Sequence, residues 1–118
     1  MTDIVRLKQR KQFLAVAKGA YRASPHLVVQ ALKQEPPSES EPILDLIRSG
    51  FTATKKTGNA VKRNRAKRRL REVARQTLPK YGKAGYDYVF IARPSTISAK
   101  WQALLDEAKR ALIKLAAP

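Results

Sequence analysis

The sequence predicts an α+β sandwich, with three helices packed on a mostly antiparallel central sheet of about four strands. Two observations carry that expectation. Apolar residues make up 43% of 118 residues, enough for a folded core in one domain spanning 1–118. Short runs rich in β-branched and aromatic residues also alternate with stretches of helical periodicity, in the order helix, two or three strands, helix, strand, helix. No internal repeat is visible.

Arg6 to Lys18 reads as a short helix, because Phe13, Val16 and Ala17 share one face and Gly19 offers a stop. Tyr21-Arg22-Ala23 is a candidate edge strand, and Leu27 to Leu32 is a β-branched apolar run that reads as a strand. The segment Gln34 to Pro42, with three prolines and three glutamates, is a connecting loop. Ile43 to Thr54 reads as the next strand, with Gly50 marking a bulge or a close backbone approach. A basic helix follows, ended by Leu78-Pro79 and the glycines at 82 and 85. Tyr86 to Ala92 is the most strand-like run in the chain, and its continuous apolar character predicts burial on both faces. Ser98 is a candidate cap for a last helix with Trp101, Leu104, Leu105, Ala108, Leu112 and Leu115 along one stripe.

The charge narrows the function. There are 25 Lys and Arg against 9 Asp and Glu, a formal net charge of +16. Self-repulsion on that scale opposes the compact state and fits a polyanionic partner. Cysteine is absent, which excludes disulfides and thiolate chemistry and fits a cytoplasmic protein. No run approaches the roughly 20 apolar residues needed to span a bilayer, and the amino terminus lacks the apolar core of a secretory signal. It is basic like a transit peptide but contains no serine up to Phe13.

The positive charge is also segregated. Between Arg48 and Lys83 the one acid is Glu72, whereas Glu35 to Asp45 holds four. On a helical wheel Ala66, Leu70, Val73 and Thr77 point one way with Ala74 beside them, and Asn64, Arg65, Arg68, Arg71 and Arg75 point the other. Lys67 and Arg69 flank the stripe, where long stems can carry their charge outward. A merely solvated face would mix signs at i,i+4, and here one sign dominates almost completely. Guanidinium groups pair bidentately with phosphate, and each neutralised phosphate releases counterions. The narrow Ala/Leu/Val/Thr stripe argues against insertion into a membrane. A DNA-reading helix would need base-reading side chains and usually a dimer seam; there is no heptad seam, and an arginine-crowded face suits phosphates better than base edges, although Asn64 could reach a sugar or base edge. A protein that holds nucleic acid is the expectation from charge alone, and a structural RNA-binding protein such as a ribosomal protein is one form it could take.

The run Lys55-Lys56-Thr57-Gly58-Asn59-Ala60-Val61-Lys62-Arg63-Asn64-Arg65-Ala66-Lys67-Arg68, continuing to Arg71, resembles the signature of the bacterial ribonuclease P protein family. Arg6-Leu7-Lys8 with Phe13, Arg48-Ser49-Gly50-Phe51 and Asp87 to Arg93 extend the resemblance over nearly the whole chain. It implies a left-handed β-α-β crossover of the ribosomal protein S5 domain 2-like kind. It also implies an accessory subunit without a catalytic site of its own and two partners, a catalytic RNA and the precursor tRNA whose 5′ leader that RNA removes, with Mg²⁺ held mainly by RNA and one protein bound per RNA. Carried over by position, Lys55, Lys56, Lys62, Arg63, Asn64, Arg65, Lys67, Arg68, Arg71 and Arg75 are RNA contacts, and Phe13, Val29 and Phe51 belong to a leader cleft. One departure stands out: Ala17 occupies a region, one turn after Phe13, where the family often places a second aromatic. Read without the resemblance, Phe13 and Phe51 are core residues.

Of the remaining residues, His26 has no local Asp, Ser or Cys to orient it and reads as structural. Asp45 and Asp87 read as outward-facing strand positions rather than a metal pair. Trp101, Tyr86 and Tyr88 read as core.

Overall fold

The computed structural model describes residues 2–36 and 45–116. The proline- and glutamate-rich loop between Gln34 and Pro42 falls largely outside the described residues. The chain builds strand β1 (Asp3–Arg6), helix α1 (Arg10–Ala17), strands β2 (Ala20–Ala23), β3 (Leu27–Lys33) and β4 (Leu46–Thr52), helix α2 (Ala60–Tyr81), strand β5 (Tyr86–Ala92) and helix α3 (Trp101–Ala116). The strands form one sheet in the order β1-β4-β5-β3-β2. β2 pairs antiparallel with β3 and β3 with β5, whereas β4 is parallel to both β1 and β5.

The sheet is therefore mixed and five-stranded, not mostly antiparallel with about four strands. The difference arises at the amino terminus, where Asp3–Arg6 is a parallel edge strand held by β4 some forty residues later (Ile4 opposite Ile47, Arg6 opposite Ser49). All four of its residues are exposed, so it carries no in/out pattern that local sequence could report. The first helix is correspondingly shorter than expected, Arg10–Ala17, closed at Gln9 by reciprocal hydrogen bonds with Gln12.

The two faces of the sheet are covered unequally. Leu27, Val29 and Ala31 of β3, Ile47 of β4 and Tyr88, Phe90 and Ala92 of β5 point to one face, where Leu70, Val73, Leu78, Leu104 and Leu112 of α2 and α3 close the main core. The predicted α3 stripe is present, with Leu104, Ala108 and Leu112 buried and Trp101, Leu105 and Leu115 packed around them. Ser98 does not cap that helix, because Trp101 begins it and Ser98 turns back to the Ser95 carbonyl. On the other face α1 covers a small cluster of Leu7, Val16 and Val89, with Phe13, Leu32 and Ile91 at its edge.

Helix α2 outlasts its expected end. Pro79 lies inside its last turn, and the helix runs on to Tyr81, where Gly82 N–H closes it on the Leu78 carbonyl at 2.8 Å. At its start the Asn59 side chain accepts from Lys62 N–H at 3.0 Å. Gly58 makes the preceding turn at φ 138, a conformation that side chains resist.

Candidate nucleic-acid interface

The split on α2 is the one its periodicity predicts. Ala66, Leu70, Val73, Ala74 and Thr77 are buried, whereas Asn64, Arg65, Arg68, Arg71 and Arg75 are exposed on the opposite side. Lys55 and Lys56, in a short 3-10 turn ahead of the helix, and Lys62 are exposed as well. Arg63 and Lys67 are half-buried. The Arg63 Nε is shielded and finds no acceptor among the described residues. A single helix of 22 residues thus presents a row of arginines along the side opposite its buried stripe.

Two arginines of this helix are spoken for within the fold. Arg69 does not carry its charge outward: its guanidinium donates to the carbonyls of Thr96 (2.6 Å), Ile97 (2.7 Å) and Ala99 (2.8 Å) and lies 5.6 Å from the centre of the Trp101 ring. It fastens the connection between β5 and α3 to α2. Arg75 is gripped bidentately by Glu72, with Gln76 donating to the same carboxylate at 3.2 Å. The Arg75 hydrogen bonds, helped by Gln76, push the Glu72 carboxyl down to about 2, and Arg75 is raised in return. Arg75 remains exposed, its charge paired locally with the Glu72 carboxylate.

The expected cleft residues separate. Phe13 lies on the α1 face, its ring against Gly50: a Cβ there would sit 2.4 Å from Phe13 Cε1. Gly50 is thus a point of close approach rather than a bulge. Phe51, one residue on, faces the α2 side, stacked on Phe90 at 5.8 Å, with the Arg6 guanidinium 5.8 Å from its ring centre. Both rings nonetheless reach one open groove of about 430 Å³ that wraps the end of β4, lined also by Arg10, Leu14, Thr52 and Lys67.

Val29 does not belong to the cleft. It is fully buried in the main core beneath α2 and α3, on the face away from α1, and cannot meet a ligand. Strand parity gives the reason: Val28 and Gln30, not Val29, point to the α1 face. The uninterrupted run Leu27-Val28-Val29 has no alternation from which to read that phase. The alternation of burial along β3 leaves Val28 and Gln30 half-buried on that face.

The other polar residues find partners. Asp87, almost fully buried, accepts two hydrogen bonds of 2.7 Å from Arg48, one on each oxygen, so it is an ion-pair residue rather than an outward-facing one. Asp45, at an exposed position, accepts from Thr2 at 2.8 Å. His26 has partners that its sequence neighbours do not supply: Nδ1 lies 2.7 Å from Ser95 Oγ, and Glu107 accepts its backbone N–H at 2.8 Å. They tie the start of β3 to the α3 layer, a structural role. Tyr88 is buried, and burial raises its hydroxyl pKa although Lys83 N–H donates to it at 2.9 Å. Among the described residues no group of three or more His, Asp or Glu gathers as metal ligands. No described helix is long and apolar enough to cross a membrane.

The family model described as Ribonuclease P matches residues 1–116. The chain belongs to that family. It is 50% identical over 113 residues to the ribonuclease P protein component of Ruegeria pomeroyi, covering 95% of this chain and 86% of the relative. The Caulobacter vibrioides component is 47% identical over 112 residues, covering 95% and 71%. In fold the chain matches the RNase P protein from Thermotoga maritima, with a TM-score of 0.74 at 24% identity over 95% of this chain and 98% of that one. The Staphylococcus aureus RNase P protein matches with a TM-score of 0.69 at 24% identity over 94% of each chain. Between the accessory-subunit and ribosomal-protein readings, family membership selects the first.

Proposed function

We propose that this protein is the protein subunit of a ribonuclease P holoenzyme, binding its catalytic RNA through α2 and the 5′ leader of precursor tRNA across the α1 face of the sheet. The observation that carries the reading is the row of exposed arginines on α2, opposite a stripe wholly used by the core, in a member of this family. Arg65, Arg68 and Arg71, with Asn64, Lys62, Lys55 and Lys56, meet RNA phosphates and sugars. The shielded Arg63 Nε is a donor whose desolvation an RNA acceptor would answer. Arg75 contributes less than its position suggests, because Glu72 already holds it.

The protein supplies position and charge, not bond-breaking groups. Mg²⁺ belongs to the RNA in this reading. Glu72 and Asp87 are each engaged bidentately by arginine, so neither offers free oxygens to a cation that demands octahedral coordination. Leader binding draws on Phe13 and the open groove beside Thr52 and Lys67, where an aromatic next to basic side chains suits single-stranded RNA. Phe51 borders the same groove from the α2 side.

We take the chain as one domain, with a left-handed S5 domain 2-like crossover. β4 and β5, parallel neighbours joined through α2, form the β-α-β unit that this requires. One protein per RNA and a cytoplasmic setting follow from the same reading.

Reconstitution tests it. The protein alone leaves precursor tRNA intact. Added to the cognate RNA at low Mg²⁺, it accelerates leader removal. An unchanged rate contradicts the assignment.

A further inference from the structure

The register of the sheet places one row of residues across four strands on the α1 face. Gly50 of β4 is opposite Val89 of β5, Val89 is opposite Gln30 of β3, and Gln30 is opposite Tyr21 of β2. α1 lies along this row. Phe13, in its first half, rests against Gly50. Val16 packs with Val89 in the middle, and the helix ends beside β2, where Lys18 and Gly19 lead into the strand. The two ends of the row differ sharply in packing. Phe13 is partly packed at the β4 end, whereas Tyr21 at the β2 end is 65% exposed, the most exposed large apolar side chain among the described residues.

An exposed tyrosine on an edge strand has a bland explanation, since single apolar residues at surfaces are common. Three features of its setting argue for more. Strand parity puts Tyr21 on the same face as Phe13 and not on the α2/α3 side, where it would have packed. α1 offers no aromatic of its own one turn past Phe13, because Ala17 stands there with only a methyl group. Cations flank the far end as they do the near one. Lys18 is exposed at the end of α1, and Arg93 reaches across to donate to the Ser24 carbonyl just beyond β2 at 2.7 Å. Arg10 and Lys67 occupy the corresponding places beside Phe13.

We infer that Tyr21 is a second stacking platform for the precursor-tRNA leader, taking a base that lies well beyond the one at Phe13. The two platforms are separated by three inter-strand spacings, about 14 Å at ~4.8 Å each. A leader of one nucleotide cannot reach both. The inference rests on the leader reading of the α1 face and adds to it a direction of travel, from β4 toward β2. Stacking suits the purpose, since every base has a π-face and one platform can take leaders of different sequence.

The test uses the reconstituted holoenzyme and its equilibrium affinity for precursor tRNA carrying either a single-nucleotide leader or one long enough to cross the sheet. Tyr21→Ala should weaken binding of the long-leader substrate by roughly five- to a hundred-fold, the range expected for one lost base stack. It should leave the single-nucleotide substrate and the affinity for the catalytic RNA unchanged. Tyr21→Phe, which keeps the ring, should restore long-leader binding. Phe13→Ala is the control for the underlying reading. If Phe13→Ala weakens long-leader binding and Tyr21→Ala does not, the cleft stands and the second platform is overturned. If neither does, the leader reading of this face falls and the platform with it. Equal losses on both substrates would also overturn the proposal, since they would place the effect of Tyr21 on the fold or on the catalytic RNA.

Discussion

Arg69 and Arg68 are neighbours in the sequence with opposite assignments, and exchanging each for methionine separates them. Methionine keeps much of the apolar stem and removes the charge and all five donors. At position 69 the substitution deletes three hydrogen bonds to the carbonyls of Thr96, Ile97 and Ala99 and the stacking on Trp101. Hydrogen bonds from a charged donor contribute about 1.5–3 kcal/mol each when well buried. Arg69 is only half-buried and water can reach part of the loop, so the three together amount to about 2–4 kcal/mol. Against a total stability on the order of 5–15 kcal/mol that is a large fraction, and it should lower the melting temperature by roughly 10 °C. Arg68→Met, fully at the surface, should change stability by less than about 0.5 kcal/mol. The functional order reverses. In a salt titration of RNA binding, the Arg68 variant should lose about 0.7–0.9 of a unit of log–log slope, and the Arg69 variant, measured below its melting point, should lose none. Urea unfolding and filter binding on the same two proteins suffice. An Arg69→Met protein that unfolds at the wild-type urea midpoint, or whose salt slope falls as much as that of Arg68→Met, would refute the opposite roles of the two arginines.

Three further outcomes are expected. Gly50→Ala should drive the Phe13 ring off the sheet, because the new methyl would lie 2.4 Å from Cε1; the ring can swing away, so long-leader affinity should fall several-fold while stability drops by only about 1–2 kcal/mol. Glu72→Gln should release Arg75 and steepen the salt dependence of RNA binding by up to about one contact, and carboxyl NMR of the wild type should place the Glu72 midpoint near 2. Because that pKa is depressed on folding, the pair's contribution is complete above about pH 4.5 and disappears as pH falls toward 2, so RNA binding between pH 6 and 8 should not vary through Glu72. Tyr88 runs the other way: its hydroxyl is raised from 10.0 by burial, so its contribution is whole below pH 10 and is lost above it, and Tyr88→Phe should flatten the alkaline limb of a stability–pH curve.

What the sequence disclosed followed physical range. The α2 stripe of Ala66, Leu70, Val73 and Thr77 repeats within a single helix, so local periodicity reveals both the buried side and the arginine side without any tertiary knowledge. The α3 stripe was legible for the same reason. β1 was hidden because its four residues are all exposed and its one ladder is to β4, far along the chain. Val29 was misplaced because a strand with apolar residues on both faces does not announce its phase; only the α1 cluster on one side and the main core on the other fix it. Arg69 and His26 share a different obstacle. Their partners, Thr96 to Ala99 and Ser95 with Glu107, come from the segment after β5, so no window of sequence contains both halves of either interaction.

RNA binding by this protein depends on the arginines of α2 acting together on phosphate. The most direct measurement is the affinity of the full protein for the catalytic RNA across a range of salt concentrations, for wild type and for Arg65→Gln, Arg68→Gln and Arg71→Gln combined. Weaker binding with a log–log slope shallower by about 2–3 is the expected result. Wild-type affinity with an unaltered slope would contradict it.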